Sequence, residues 1–328
     1  MPTEFRPPEL PGFTLVGRLG GGGSGDVFAY DQRLPARRVA VKVLREPVTG
    51  AAQAAAFVAE ADAMAALEHP HIVPVHAAGI AADGRPYLVM AFYPGPDLEV
   101  RCRTEPLPPA EALRVGVLVG GAVEVAHRRG ILHRDIKPAN ILTSRFGVPG
   151  LADFGLAGSP GDGDGPDFGV SVPWAAPEVL FGTAPASVRS DVYALAATVW
   201  TLLVGRSPFE SAEPGDTTVR LLRRIRTGAV PSVGRADVPP ELDAVLAAGL
   251  AKDPAERPAS ALALVEGLRD VERRLGRGAT DPLVGDLAPG PSSGGVPAAG
   301  AGGPRRTPVA AVLDAPPAEA APPAASAA

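Results

Sequence analysis

The chain has 328 residues, enough for one large two-lobed unit or about two ordinary domains. Hydrophobic residues make up 46%, sufficient for a real core, while 39 glycines and 38 prolines point to long loops or an unstructured segment. A net charge of −5 excludes adhesion to nucleic acid or anionic lipid as the main business, and a single cysteine, Cys102, excludes an intrachain disulfide and a cysteine-based zinc site.

In chain order, residues 1–11 carry four prolines and read as an extended lead-in. From Phe13 to Leu44 the short runs FTLVGRL, DVFAY and RVAVKVL predict an antiparallel meander, with a glycine cluster between the first two. The stretch Ala51 to Leu67 contains no glycine or proline and repeats Phe57, Ala61, Met64 and Leu67 at helical spacing, which predicts a helix. Two further strands, IVPVHAAG and PYLVMAF, close the N-terminal half.

Helical patterns dominate afterwards: 110–129, 188–204, 217–226, 240–251 and 258–274. The first holds Gly116, Gly120 and Gly121, each costing up to about 1 kcal/mol against alanine, so burial must hold that helix. From residue 276 to 328 the composition collapses into Pro, Ala and Gly, which cannot bury enough apolar surface to offset chain entropy. The most apolar runs, 115–123 and 192–204, fall short of the roughly 20 residues that span a bilayer, and the first twenty residues lack the pattern of a secretory signal. The expectation is a cytoplasmic protein without a membrane span.

LGGGGSGDVF holds Gly20, Gly22 and Gly25 in a G-x-G-x-x-G pattern, with Val27 two residues later. A dinucleotide-binding loop runs from strand into helix, but this one runs from strand to strand, and a VAVK strand follows it. Further along come HRDIKPAN (133–140), DFG (153–155), APE (176–178), SDVYALA around Asp191 and DPAERP around Arg257. Together these motifs, in this order over residues 12 to 275, resemble the eukaryotic-like (Hanks-type) bacterial serine/threonine protein kinases.

The resemblance implies an α+β bilobal kinase fold: an N-lobe (12–92) of five antiparallel strands and one helix, a hinge at 91–97, and a mainly helical C-lobe (98–275). It implies transfer of the ATP γ-phosphate, with Mg2+ or Mn2+, to Ser/Thr hydroxyls of proteins, the kinase itself included. Phosphoryl transfer asks the protein mainly for charge neutralisation and in-line positioning. Lys42 is expected on the α- and β-phosphates, held by an ion pair with Glu60. Asp135 is expected to accept the substrate hydroxyl proton, Lys137 to neutralise the γ-phosphate, and Asn140 and Asp153 to supply hard oxygens to the metal ion. Leu19, Val27, Ala40, Met90 and Leu142 are expected around adenine, with the Ala91 carbonyl and Tyr93 N–H reaching the base. Gly20, Gly22 and Gly25 would cover the phosphates.

Glu178 and Arg257 are expected as a buried ion pair, and Asp191 as the fastener of the catalytic loop. His133 reads as a packing residue and not as a base. The chain has three lysines, Lys42, Lys137 and Lys252, against 28 arginines, and two of the three fall at phosphate-handling positions, where a compact ammonium is required.

The segment between DFG and APE departs from the family pattern. Ser171 stands where a threonine is usual, Val170 where a glycine is usual, and Trp174 where a tyrosine is usual. Between Gly155 and Val170 the only hydroxyl is Ser159, whereas Asp162, Asp164 and Asp167 could reach Arg134 in place of a loop phosphate. The expectation is basal activity without loop phosphorylation, with Thr307 in the tail as a candidate acceptor. A pseudokinase acting as a nucleotide-binding signalling scaffold is the alternative; its mark is loss of Lys42, Asp135, Asn140 or Asp153, and none is lost. A small-molecule kinase would carry a different catalytic loop and no APE segment. A homodimer is left open.

Overall fold

A computed structural model describes residues 6–22, 25–154, 171–211, 213 and 216–285. The N-terminal half is a five-stranded sheet of β1 (Phe13–Gly21), β2 (Gly25–Gln32), β3 (Arg37–Leu44), β4 (Val75–Ile80) and β5 (Pro86–Ala91). The spatial order is β1-β2-β3-β5-β4, antiparallel throughout. Central β3 is buried from Val39 to Val43 because both of its faces are covered, which explains its β-branched run. Helix α1 (Ala51–Ala65) presents Phe57, Ala61 and Met64 to the core.

The segment after α1 differs from the sequence expectation. The helix stops at Ala65 with Ala66 as its C-cap, and β4 starts at Val75 and not at Ile72. Pro74 has no N–H to give a ladder and so ends the possibility of a strand there. Its carbonyl instead accepts from Ala91 N at 3.0 Å. Residues 71–73 join the other half of the molecule: Leu151 N donates to His71 O (2.8 Å) and Val73 N to Leu151 O (2.9 Å).

The C-terminal half is built on α3 (Pro109–Arg128) and α5 (Val188–Val204), with α2 (Leu98–Thr104), α4 (Pro177–Leu180), α6 (Thr218–Thr227), α7 (Pro240–Gly249) and α8 (Ala261–Arg274) around them. Two short strands, β6 (Ile141–Thr143) and β7 (Pro149–Leu151), form a hairpin that periodicity over three residues could not announce. Ser187 and Ser190 make a reciprocal capping box at the start of α5, and Gly205, at φ 84°, ends it in the left-handed conformation. The α3 glycines are contact points: a Cβ on Gly120 would sit 2.3 Å from Val265 Cγ2, so α8 approaches closer than alanine allows. Cys102 is fully buried in α2 among core side chains.

The predicted start of the tail at residue 276 is corrected by the structure, because Thr280 and Pro282 dock on the C-lobe. Pro282 is buried, and its carbonyl oxygen lies 1.9 Å from where a Gly121 Cβ would be. Glu272, 3% exposed, accepts from Thr280 N and Thr280 Oγ1, both at 2.7 Å, and Arg269 Nε donates to Thr280 O at 2.9 Å. Composition missed this because one Thr and one Pro among small residues suffice when a buried carboxylate and a glycine notch await them. No helix among the described residues is long and apolar enough to cross a membrane.

Ending the chain after Gly276 would leave the Glu272 carboxylate buried without these partners. The expected loss is roughly 2–3 kcal/mol in urea unfolding relative to the full chain, whereas a chain ending at Gly285 keeps the contacts and its stability.

Candidate active site

The site lies where the β3 and β5 strands meet the β6–β7 hairpin and the loop before it. Strand alternation and register place Val27 opposite Lys42 and Ala29 opposite Ala40, so these side chains face one side of the sheet. Ala40 and Met90 are buried with Val73 and Ala152, and Val27, Ala91, Phe92, Tyr93 and Leu142 pack against them. Six residues expected around adenine are thus together; Leu19, on β1, is 49% exposed. Val73, Phe92 and Ala152 complete the cluster and were not foreseen, although Ala152 directly precedes the DFG motif. Tyr93 N–H donates to no group among the described residues and is available to a ligand acceptor.

The catalytic loop is fixed by Asp191, 1% exposed in the first turn of α5. Its carboxylate accepts from His133 N (2.8 Å), Arg134 N (2.9 Å) and His127 Nε2 (2.8 Å). This clamp holds Arg134 at φ 68°, a conformation that costs a non-glycine residue on the order of 1 kcal/mol or more. His133 accepts from Asp135 N at Nδ1 (3.2 Å) and donates from Nε2 to Ala152 O (2.9 Å), while burial pushes its pKa down. A neutral ring whose two nitrogens are both engaged is a brace, in keeping with the packing role expected for it.

Downstream, Lys137 Nζ donates to Asp135 Oδ2 at 2.7 Å and to Ser171 Oγ at 2.5 Å. Asn140 Nδ2 donates to the Asp135 carbonyl at 2.7 Å and to its Oδ2 at 3.1 Å. This arrangement leaves Asn140 Oδ1 without a partner among the described residues. Asp153, at φ 66°, gives Oδ2 to Lys42 Nζ at 3.0 Å and, among the described residues, leaves Oδ1 likewise. Two unclaimed hard oxygens fit a magnesium ion that takes its remaining ligands from phosphate and water. Below Asp153 the Phe154 ring packs on His133, centroids 4.5 Å apart.

The expected ion pair between Lys42 and Glu60 is not made. The Lys42 ammonium, 6% exposed at its side chain, takes Asp153 as its partner. Glu60 is half-buried on α1; desolvation raises its carboxyl above the usual range, and the Arg134 guanidinium opposes that shift. Spacing on a helix shows which face a carboxylate shares, but it does not show how far the helix stands from the sheet. Gly155, Ser159, Asp162, Asp164, Asp167, Val170 and the tail with Thr307 lie outside the described residues.

Glu178 and Arg257 form the expected buried pair, bidentate at 2.7 Å on both oxygens, with Arg257 also over the Tyr193 ring at 4.9 Å. Trp174 Nε1 donates to Thr201 Oγ1 at 3.0 Å, which binds the segment containing Ser171 to α5.

A scan against family models matches the protein kinase domain over residues 13–266. The chain is 40% identical over 277 residues to the serine/threonine-protein kinase PknK of Mycobacterium bovis, covering 82% of this chain and 25% of that protein. It is 41% identical over 287 residues to PknF of Mycobacterium tuberculosis, covering 83% of this chain and 58% of that protein. Among solved structures, the Mycobacterium tuberculosis PknI kinase domain superposes with a TM-score of 0.61 at 30% identity, covering 80% of this chain and 97% of that one. The chain therefore belongs to the protein kinase family, and its domain is of the bacterial Hanks-type serine/threonine class. It spans about a quarter of PknK and somewhat over half of PknF.

Arg257→Met would strand the Glu178 carboxylate in the core. The expected cost is about 3–5 kcal/mol in equilibrium unfolding, and the double variant Glu178→Leu with Arg257→Met recovers a large part of it, because no buried charge then remains.

Proposed function

We propose that the chain transfers the γ-phosphoryl group of ATP to serine and threonine hydroxyls of proteins, its own included, with Mg2+ bound at Asn140 and Asp153. The observation that carries this reading is Lys137, whose ammonium bridges Asp135 and Ser171 and so sits between a proton acceptor and the substrate-side segment. Asp135 accepts the proton of the attacking hydroxyl, and Lys137 neutralises charge on the transferring group. Lys42 neutralises the α- and β-phosphates. When bound there, Mg2+ would supply charge neutralisation to the phosphates. Adenine rests between Val27 and Ala40 on one side and Leu142 on the other, with Tyr93 N–H as a donor to the base.

The separation of Lys42 from Glu60 favours a second reading, a nucleotide-binding scaffold without turnover. Labelled ATP, Mg2+ and a peptide library decide between the two. Turnover is expected in the wild type, with Asp135→Asn and Lys42→Met each lowering kcat by about a hundredfold or more while the thermal midpoint holds. Wild-type ATP binding with no transfer to any peptide or to itself would leave the scaffold.

Glu60 gives the reaction a pH dependence. In the observed arrangement its pKa is raised by burial, whereas beside the Lys42 ammonium the carboxylate form would be favoured. A proton on Glu60 therefore favours the arrangement with Lys42 on Asp153, and its loss favours Lys42 on Glu60. The expected result is a kcat/KM that falls as pH drops through the raised carboxyl pKa. Glu60→Gln is expected to be less active and to lack this limb in a rate profile run from about pH 5 to 8.

A further inference from the structure

One buried carboxylate has no part in the transfer chemistry. Asp26 follows Gly25 in β2, and its side chain is 1% exposed. Register pairs it with Val43, one position off the Val27 and Lys42 pair, so it projects from the opposite face of the sheet to Lys42, the face that carries Phe28 and Val43. Two arginines meet it there. Arg18 of β1 donates to Oδ1 from Nη2 at 2.5 Å and from Nε at 3.1 Å, and Arg45, just past β3, donates to Oδ2 from Nη2 at 3.4 Å.

The same carboxylate explains a glycine that the phosphate-binding pattern does not require. G-x-G-x-x-G asks for Gly20, Gly22 and Gly25 and leaves residue 21 open. Gly21 is paired with Asp26 in the sheet, and a Cβ on it would lie 2.0 Å from Asp26 Oδ1 and 2.5 Å from Arg18 Nη2. The missing side chain leaves the space in which Asp26 and Arg18 meet over β1.

We infer that Arg18, Asp26 and Arg45 are a positioning brace that holds the ends of β1 and β2 so that the glycine loop is set for ATP, and that Gly21 is glycine to admit it. The inference rests on the reading of the chain as an ATP-dependent kinase. Residues 20–25 contain five glycines, and ordering such a loop over phosphates costs conformational entropy that would otherwise appear as affinity. A brace on the flanking strands lowers that cost before the ligand arrives. It touches no reacting atom, so its effect falls on ATP binding and leaves the chemical step alone. Asp26 is buried, yet the two arginine side chains are 59% and 47% exposed, which makes the brace sensitive to salt.

The test is steady-state kinetics and ATP titration on the full chain. Asp26→Asn and Gly21→Ala are each expected to raise KM for ATP about five- to tenfold, with kcat within roughly twofold and the ATP Kd following KM. The double variant is expected to match the single ones, because either change removes the same contact. Asp26→Glu, which keeps the charge, is expected to recover part of the affinity, and raising NaCl is expected to narrow the gap between wild type and Asp26→Asn. If Asp26→Asn does not accumulate as folded protein, the single variants Arg18→Gln and Arg45→Gln, each of which leaves the carboxylate one arginine, carry the same test. A wild-type KM and Kd in these variants overturns the brace, as does a loss confined to kcat or two effects that multiply in the double variant. A wild type that binds no ATP overturns instead the reading on which the inference rests.

Discussion

Everything at the reacting end of this molecule depends on one carboxylate, Asp191. It sits in the first turn of a helix whose residues from Ser190 to Leu203 are buried, so it cannot retreat to water, and the helix N-terminus favours its charge. Its partners are two backbone N–H groups of the catalytic loop and the ring of His127. That set of bonds fixes Arg134 in a left-handed conformation, which turns the chain so that Asp135, Lys137 and Asn140 converge within hydrogen-bond reach of one another. The strain is local, and the buried helix behind it supplies the stiffness that maintains it.

The opposite lobe is held less firmly. Lys42 is delivered by a strand buried on both faces, yet its ammonium meets Asp153, which belongs to the C-lobe side of the cleft. Glu60 rides on a helix whose N-cap, Gly50, offers no side-chain bond, and nothing from β3 holds its carboxylate. At the far end of that helix, Arg129 Nη1 donates to Ala66 O at 2.5 Å. The helix is therefore tied to the C-lobe at its C-terminus, the end nearer Glu60, while its N-terminus carries no side-chain cap.

Much of this was legible in the sequence because the signals are dense where chemistry is demanding. The five strands, α1 and the long C-lobe helices follow from periodicity and glycine punctuation, and the buried Glu178 and Arg257 pair and the Asp191 fastener follow from motifs that match the family. What stayed hidden depends on distance in space. The Lys42 and Glu60 separation is a displacement between two well-predicted elements. The β6–β7 hairpin is too short for a pattern, and the docking of Pro282 turns on a notch at Gly121 more than a hundred and fifty positions earlier. Asp26 carries no sequence signal of its own, because its two arginine partners come from other strand ends.

Lysine usage links these parts. A chain that writes arginine almost everywhere keeps lysine three times, and each ammonium stands as a compact point charge between close partners. Lys42 lies almost fully buried on the cleft face of β3, and Lys137 is pinched between a carboxylate and a hydroxyl. Lys252 has no part in the transfer, yet it obeys the same constraint. Its Nζ donates to Ile225 O at 2.8 Å at the end of α6 and lies 3.5 Å from the centre of the Phe209 ring, with burial and the nearby Arg257 bringing its pKa down to about 8. Below that pH it is a charge kept at a cost, because the unfolded chain holds the proton more readily than the folded one. The fold retains it because one small cation can occupy both the carbonyl end of α6 and an aromatic face, beside the buried pair that anchors the C-lobe.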